Sequence, residues 1–532
     1  MKVSIMITIN KISLRYPALT GKLYKPRYST MFAQSGDLHN AILNAIDSFI
    51  GNYTLMRRPL TDKLSCQPLL CVGVLLSALS GCATVAPEYQ LDTIAATETW
   101  HSDLAGQDIS GTGENLAGWW QKFDDDLLNQ LVQQTLANNT DLKTAQLDYQ
   151  LAQLDQHYAR SDGLPTVSAS ASASEIATRN SSYESYSGGL SASWEVDLWG
   201  NLASEQNSAD ASVAESLETL HYSQVSLIAE TASTYADLRS AQENLRVTKA
   251  NIAIQEQTYD FVKWQKEAGL STDLDVIQAE TTLEQTRASL PDYQNTINQA
   301  MNRLRVLTGG FSDTLNEQLQ SYTELPEMPA SISAGIPADT LRQRPDVKAK
   351  EYAVKVQAEN VVQAKNDRYP SFNLTGSLSS GGTDVADLFD IDTFIAKLAA
   401  SLTYSLFDGG TIKKNIQSQQ LQLQQSLLDY RAALLNAQEE VENALGTLSS
   451  AQLQQKALIL AQQSADLALH LANVRYEAGL VDFSTVLDAE STLLTAQNDL
   501  ATNKGDILSA WIELYRSLGG GWQGQSTSTE TN

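Results

Sequence analysis

The chain contains an internal duplication, and no other feature of the sequence constrains its fold as strongly. Three segments of the first half recur in the same order in the second half, at offsets of 205, 208 and 210 residues. The matched pairs are 141–143 with 346–348, 190–199 with 398–407, and 267–280 with 477–490. Matches in one order indicate a repeated structural unit rather than coincidence. Each unit is predicted to contain a helix, two strands, a long helix, a tip and a returning helix.

Four segments are predicted to be strands, at 164–174, 187–198, 371–380 and 395–406. From Leu190 to Leu198 every second residue is apolar, and the segment from Leu398 to Leu406 repeats the alternation. This pattern is typical of a membrane β-barrel strand, and also of a half-buried strand in a soluble sheet. Four strands cannot close a barrel, and an open edge in lipid leaves backbone groups unpaired. A membrane-spanning structure therefore requires several chains to share one barrel. The residues do not fix their number, although three copies would supply twelve strands.

Two segments lack the residues that interrupt helices. Residues 201–268 contain neither glycine nor proline, and residues 411–478 contain one glycine, Gly446. At 1.5 Å per residue each predicted helix is about 100 Å long. Both end at Ala-Gly-Leu, after which returning helices are predicted at 273–307 and 484–517, with Pro291 expected to kink or break the first. The same pattern also fits a long coiled-coil stalk, as in a surface adhesin.

The segment before residue 83 has the composition of an export signal. Residues 56–81 contain a positively charged start, a short apolar stretch and small residues at their end, and Cys82 follows. This resembles a bacterial lipobox, so Cys82 is expected to carry diacylglycerol and a fatty acyl chain, and Ala83 favours export to the outer membrane. A chance small-residue cleavage site is the alternative. Residues 1–55 precede a complete signal, and we interpret them as an extension upstream of a true start at Met56.

The charge balance excludes several classes of function. The chain has 36 Lys and Arg residues against 62 Asp and Glu residues, a net charge of −26 and a pI near 4.5. Such an acidic chain does not suit nucleic acid as a partner. Three cysteines cannot build a disulfide framework, and the sequence shows neither a metal-binding spacing nor a nucleophile–base constellation. We therefore expect neither an enzyme nor a cofactor.

Several motifs resemble the TolC/OprM family of outer-membrane efflux proteins, and in particular its lipoprotein (NodT-type) branch. The matching segments are WWQKF at 119–123, WEVDLWG at 194–200, RPDV at 344–347, LFDGG at 406–410, RYEAG at 475–479 and LGGGW at 518–522. Two positions depart from the family pattern: Ser405, where many members have proline, and Gln343, which replaces the first arginine of a pair. The resemblance covers about residues 82–522.

The resemblance implies a mixed α and β membrane protein, a trimer whose shared 12-stranded outer-membrane β-barrel continues into a long periplasmic α-helical barrel. It implies the passive exit duct of a tripartite efflux pump, which carries small molecules such as drugs out of a Gram-negative cell. The partners would be a periplasmic adaptor and an inner-membrane transporter, expected to be of the RND type. We divide the chain into a first repeat at 82–330, a second at 331–522 and a polar tail at 523–532.

The two Ala-Gly-Leu turns are expected to form the periplasmic tips of the helices. In the family an acidic residue just past the second tip lines the narrow aperture, and the matching position here is Asp488. A ring of identical carboxylates would bind cations and resist closure through mutual repulsion. Asp275 and Asp482 are further aperture candidates because they also lie in the tips. The alternative for these carboxylates is a solvated helix face.

The tips also supply the predicted docking site for the adaptor, because small residues allow close contact between helix tips. The candidates are Gly269, Leu270, Gly479 and Leu480. Two alternative functions remain open from the sequence. One is an outer-membrane duct for secreted protein, which the lipid anchor disfavours. The other is a lipidated coiled-coil surface protein without a pore, which predicts neither channel activity nor a trimer.

Overall fold

The structure is a computed structural model, and it describes Trp100 and residues 116–310, 312–329 and 341–522. The predicted extension at 1–55, the signal peptide at 56–81, Cys82 and the polar tail at 523–532 lie outside these residues, so they stay predictions.

The described elements follow the order that the duplication predicts. The first repeat contains α1 (Asp126–Asn138), α2 (Thr140–Asp162), β1 (Thr166–Ala177), β2 (Ser182–Glu195), α3 (Asn201–Glu267), α4 (Asp273–Ala288), α5 (Leu290–Leu307) and α6 (Asp313–Gln320). The second contains α7 (Pro345–Asn366), β3 (Ser371–Gly382), β4 (Ile395–Thr403), α8 (Thr411–Glu477) and α9 (Phe483–Ser517). Short 3-10 turns lie at Trp119–Phe123, Val385–Phe389 and Ile391–Thr393.

The four strands form one antiparallel sheet in the order β1-β2-β3-β4, so β1 and β4 are its edges. Two strands end earlier than the alternation predicted. Strand β4 stops at Thr403 rather than 406, because Thr403 pairs with Ser371 and the preceding Pro370 has no N–H to extend the ladder. Strand β2 covers Ser182–Glu195 rather than 187–198. Val196 donates one more hydrogen bond to Phe372, and from Asp197 onward the chain belongs to the cap of the next helix.

An aspartate between the strand and the start of each long helix accepts hydrogen bonds from the first N–H groups of that helix. Asp197 accepts hydrogen bonds from the N–H groups of Gly200, Asn201 and Ala203, at 2.8–2.9 Å. Asp408 accepts from the N–H groups two and four residues further on. These carboxylates satisfy the first free N–H groups of α3 and α8, which explains why the aspartates recur in both motifs.

Both long helices contain 67 residues, a length of about 100 Å at 1.5 Å per residue. The returning segments differ between the repeats. In the second, α9 is continuous over Phe483–Ser517. In the first, the predicted helix at 273–307 is two helices that meet at Ser289, because Pro291 has no N–H to donate and lies in the first turn of α5.

The helices pack in a fixed order along the chain. Helix α2 packs on α3, α3 on α7, and α7 on α8, while α9 packs against both α3 and α8. The main core lies where α9 ends, and its centre is a group of buried rings: Trp119, Phe123, Trp511 and Tyr515. Trp119 stacks on Tyr515 with ring centroids 5.1 Å apart. In the part of the chain that the structure describes, no helix is both long and apolar enough to cross a membrane.

Candidate functional site

The two helix turns lie at equivalent points of the two repeats. Gly269 and Gly479 have φ values of +75° and +67°, which favour glycine over every other residue. Leu270 donates its N–H to the carbonyl of Gln265 at 2.8 Å, so the turn closes α3 as a glycine-containing C-cap. The leucine side chains point away from the protein, with 77% of Leu270 and 73% of Leu480 exposed.

The turns of the two repeats pack against each other within one chain. The Tyr476 hydroxyl donates to the side-chain oxygen of Gln265 at 2.8 Å, and its ring lies 5.4 Å from that of Phe483. Phe483 belongs to an apolar cluster that both repeats share, with Val262, Ala279, Ala472, Val486 and Leu487. A cleft of about 550 Å³ lies between the turns. The structure therefore brings the tip residues of both repeats into one site.

Asp275 accepts hydrogen bonds from neighbouring residues, and these bonds were not predicted from the sequence. Its carboxylate accepts hydrogen bonds from the N–H and hydroxyl of Thr272 and from the Ser271 hydroxyl, at 2.8–3.0 Å. Burial raises the pKa of Asp275, but the bonds from Thr272 and Ser271 outweigh it and leave the pKa below its ordinary value. Asp275 therefore caps α4 in this structure, with its charge held at the helix N-terminus.

Asp482 and Asp488 have no such cap. Asp482 precedes α9 and makes no side-chain capping bond, and both aspartates are exposed. Asp488 is the first residue of a polar stripe along one face of α9, whose members recur every three or four residues. The exposed members are Asp488, Thr492, Thr495, Asp499, Thr502 and Asp506. This stripe contains two further carboxylates that the motif comparison missed, and their helical spacing was the signal that could have found them.

The opposite side of α9 forms a polar seam with α3. Asn251 donates to Gln497 at 2.6 Å, and Thr258 donates to Glu490 at 2.7 Å. Glu490 is only 5% exposed, and its second carboxyl oxygen accepts no hydrogen bond from the described residues. Burial raises the pKa of Glu490. The burial of Glu490 was not predicted from the sequence, because an isolated glutamate in a helix is usually at the surface.

The described residues include no group of three or more His, Cys, Asp or Glu side chains arranged to hold a metal ion. What they offer is two packed helix tips, an acidic and hydroxyl-rich helix face, and a sheet with two open edges.

Comparison with known proteins decides the family. The model of the family described as outer membrane efflux protein matches residues 131–310 and 336–520. The chain belongs to this family. Its location is therefore the outer membrane, and the resemblance found in the sequence is confirmed. The members of the family are efflux channels rather than enzymes.

Named relatives and a solved structure agree with this assignment. The toluene efflux pump outer membrane protein TtgC of Pseudomonas putida is 30% identical over 408 residues, which cover 74% of this chain and 82% of TtgC. The cation efflux system protein CusC of Escherichia coli K12 is 27% identical over 390 residues, which cover 73% of this chain and 84% of CusC. The structure of the outer-membrane channel OprN matches with a TM-score of 0.77 and 29% identity, over 83% of this chain and all of OprN.

Proposed function

We propose that this protein is the passive exit duct of a tripartite efflux pump, which conducts small molecules from an inner-membrane transporter of the RND type, through a periplasmic adaptor, to the cell exterior. The family match carries this proposal, since it covers both repeats. The names of TtgC and CusC point to efflux of toluene and of cations, two chemically unrelated cargoes. A duct that accepts whatever its transporter loads is consistent with both.

The proposed assembly is a trimer, and the sheet supports it. Strands β1 and β4 are edges, and unpaired edge groups are costly within a bilayer. If β4 of one copy pairs with β1 of the next, no edge remains. Three copies of a four-stranded sheet then close one 12-stranded barrel, with the helices continuing it into the periplasm.

Exposed leucine rows on the helices also support the trimer. Helix α2 exposes Leu147, Leu151, Leu154 and Tyr158 on one face, and α8 exposes Leu421, Leu428 and Leu435. Within one chain, α3 packs on α7. The duplication relates α3 to α8 and α7 to α2, so the corresponding contact is α8 of one copy against α2 of the next. That contact would bury both rows at about 25 cal/mol per Å² of apolar surface.

At the tips too, an apolar side chain that is covered in one repeat is exposed in the other. Leu487 is 8% exposed because it packs in the shared apolar cluster, whereas its counterpart Ile277, 210 positions earlier, is 58% exposed. In a ring of three copies, α8 of the neighbour would cover Ile277 as α3 covers Leu487 within one chain.

We propose that Asp488 lines the aperture of the closed duct, as the first carboxylate of the stripe on α9, and that Asp482 adds charge at the rim. We assign Asp275 a weaker role at the aperture, because its carboxylate is engaged in the cap of α4. Gly269, Leu270, Gly479 and Leu480 are proposed to dock the adaptor, since both leucines are exposed. Cys82, with its diacylglycerol and acyl chains, would anchor each copy in the outer membrane.

Site-specific photo-cross-linking in cells tests the assembly. A photoreactive residue at Leu480 should capture a periplasmic protein that mass spectrometry identifies as an adaptor. The same residue at Leu154 should capture a second copy of this chain, which makes it the matched control for probe reactivity. If the probe at Leu154 captures a second copy while the probe at Leu480 captures only this chain or no protein, the docking tips are contradicted.

A further inference from the structure

A polar groove of about 870 Å³ lies between α3 and α5, and α6 and Tyr322 complete its lining. Among the described residues that line it are three cations, Arg246, Lys249 and Arg305, and no carboxylate. The whole chain carries a net charge of −26. A concave region of the opposite sign in such a chain attracts anions that the rest of the surface repels.

The three cations are not equivalent. Arg246 donates two hydrogen bonds of 2.8 Å to Glu243, which offsets its charge. Lys249 is exposed at the groove. Arg305 is held between α5 and α6 by the side-chain oxygens of Asn302, at 3.0 Å, and Asn316, at 3.4 Å. Of the three cations, Arg246 therefore contributes least to the attraction for an anion.

The remaining lining fits a polypeptide backbone. Gln294, Asn298 and Asn302 are spaced four residues apart on α5, and all three are exposed. Each side-chain amide can both donate and accept a hydrogen bond, as the peptide groups of an extended chain require. Ile297 and Met301 form an apolar floor between them.

The lining fits a carbohydrate less well. The one aromatic ring among the described lining residues is Tyr322, and the guanidinium of Arg246 lies over its face, 5.6 Å from the centroid. A ring whose face already holds a cation offers no open platform for a sugar.

The groove is separate from the seams of the proposed trimer. At 100° per residue, Arg246 and Lys249 lie on the side of α3 opposite Asn244, Asn251 and Thr258, which bond α9. The exposed leucine rows lie on α2 and α8, and Ile277 lies on α4. Assembly through those surfaces leaves the groove accessible.

We propose that this groove binds an extended acidic peptide segment of a periplasmic protein, with Lys249 and Arg305 pairing with its carboxylates and the α5 amides bonding its backbone. The site goes beyond the docking tips of the proposed function, and it lies about 30 Å along α3 from them at 1.5 Å per residue. It would still bind such a peptide if the tips proved not to dock an adaptor.

Calorimetry with the full-length protein in detergent tests the proposal. The probe is an acetylated and amidated peptide of alternating Glu and Ala, and the peptide of alternating Gln and Ala is its neutral control. The acidic peptide should bind, the neutral one should not, and affinity should fall as salt is raised. Lys249→Glu with Arg305→Glu should weaken binding by about tenfold or more. Arg368→Glu with Lys413→Glu makes the same charge change on exposed residues elsewhere and should leave binding unchanged.

Several outcomes would overturn the proposal. The control double variant could weaken binding as much as the groove double variant, which would indicate that the peptide is attracted by overall charge and is not bound in the groove. A carboxylated glycan, polygalacturonate, could bind as tightly as the peptide. Neutralising Asp103, Asp108 and Glu114 could strengthen peptide binding, which would identify the chain's own acidic segment as the occupant. If the groove double variant does not fold, Lys249→Gln with Arg305→Gln replaces it, and unchanged affinity in that variant contradicts the site equally.

Discussion

Arg344 shows how a family motif can be structural rather than functional. Its guanidinium is buried where α7, α8 and the end of α9 meet. It donates to Asp346 at 2.8 and 3.0 Å, to Glu440 at 2.8 Å and to the carbonyl of Ser517 at 2.8 Å. One planar group with five donors can satisfy all of these acceptors at once, which lysine cannot do.

Replacement of Arg344 by Met should therefore destabilise the fold. The change leaves the buried carbonyl of Ser517 without its donor and removes a partner from two carboxylates, at a cost of about 1–3 kcal/mol. The cost is lower than for a fully buried ion pair because Asp346 and Glu440 are partly exposed to water. Thermal unfolding in detergent measures the effect. Arg342→Met, at an exposed position two residues away, is the control and should change the midpoint little. Equal midpoints for the two variants would contradict the stabilising role of Arg344 at the junction of α7, α8 and α9.

Glu490 gives a pH-dependent prediction. Because burial raises its pKa, the folded state favours the protonated form. Its stabilising contribution is present in acid and is lost as pH rises from the ordinary glutamate value of 4.5 through the higher folded value. Glu490→Gln should therefore raise the unfolding temperature at neutral pH. The decrease in unfolding temperature between acid and neutral pH should also be smaller in this variant than in the wild-type protein. Glu280→Gln, at the exposed equivalent 210 positions earlier, is the control. If the unfolding temperature of the Glu490 variant depended on pH as it does in the wild-type protein, this prediction would be wrong.

Asp488 gives the prediction for conduction. In planar bilayers Asp488→Asn should increase conductance and weaken block by divalent cations, because it removes the carboxylate ring that we propose as the cation site of the aperture. Asp429→Asn removes the same charge from an exposed position on α8 and should leave both properties unchanged. Unaltered conductance and block in the Asp488 variant would count against its place at the aperture.

At the scale of one element, α8 contains one glycine and is closed by a second, and the two have opposite requirements. Gly446 lies within the helix and Gly479 closes it with φ +67°, and a Cβ at either position would meet no atom within 4 Å. Space is therefore available at both, and only the backbone conformation distinguishes them.

The same substitution should consequently have opposite effects at the two glycines. Gly446→Ala should stabilise the protein by about 0.5–1 kcal/mol, because alanine loses less conformational entropy in a helix. Gly479→Ala should destabilise the tip by about 1–2 kcal/mol, since a left-handed backbone is strained for alanine. Unfolding midpoints of the two variants provide the comparison. A gain in stability for both would mean that the turn at Gly479 does not need its left-handed conformation.

At the scale of the whole molecule, the exposed leucine rows predict where the trimer can be disrupted. Leu151→Glu with Leu154→Glu places charge in the proposed seam and should reduce the mass measured by light scattering from three copies towards one. Leu270→Glu, at an exposed position of a tip, should leave the trimer intact. A trimer that persists in the double variant would place the seam elsewhere.

The sequence by itself determined the repeat, the number and order of the strands, the two long helices and the family. These features depend on local patterns: alternation for strands, the absence of glycine and proline for helices, and short motifs at the element ends. Only the strand limits needed the structure, because a strand ends where its partner can no longer pair with it. The break near Pro291 was predicted, and the structure located it at Ser289.

The tertiary structure alone decided which polar residues are buried and which surfaces are shared. Nothing local distinguishes Asp488, which is exposed, from Glu490, which packs against α3 two residues later. The cationic groove between α3 and α5 was likewise not apparent from the sequence. The engagement of Asp275 in a helix cap is different, because the local Thr-x-x-Asp spacing of a capping box could have predicted it. A long helix rich in Ala, Gln and Ser has no strongly apolar face, so the neighbouring helices, and not its own periodicity, decide which side is buried.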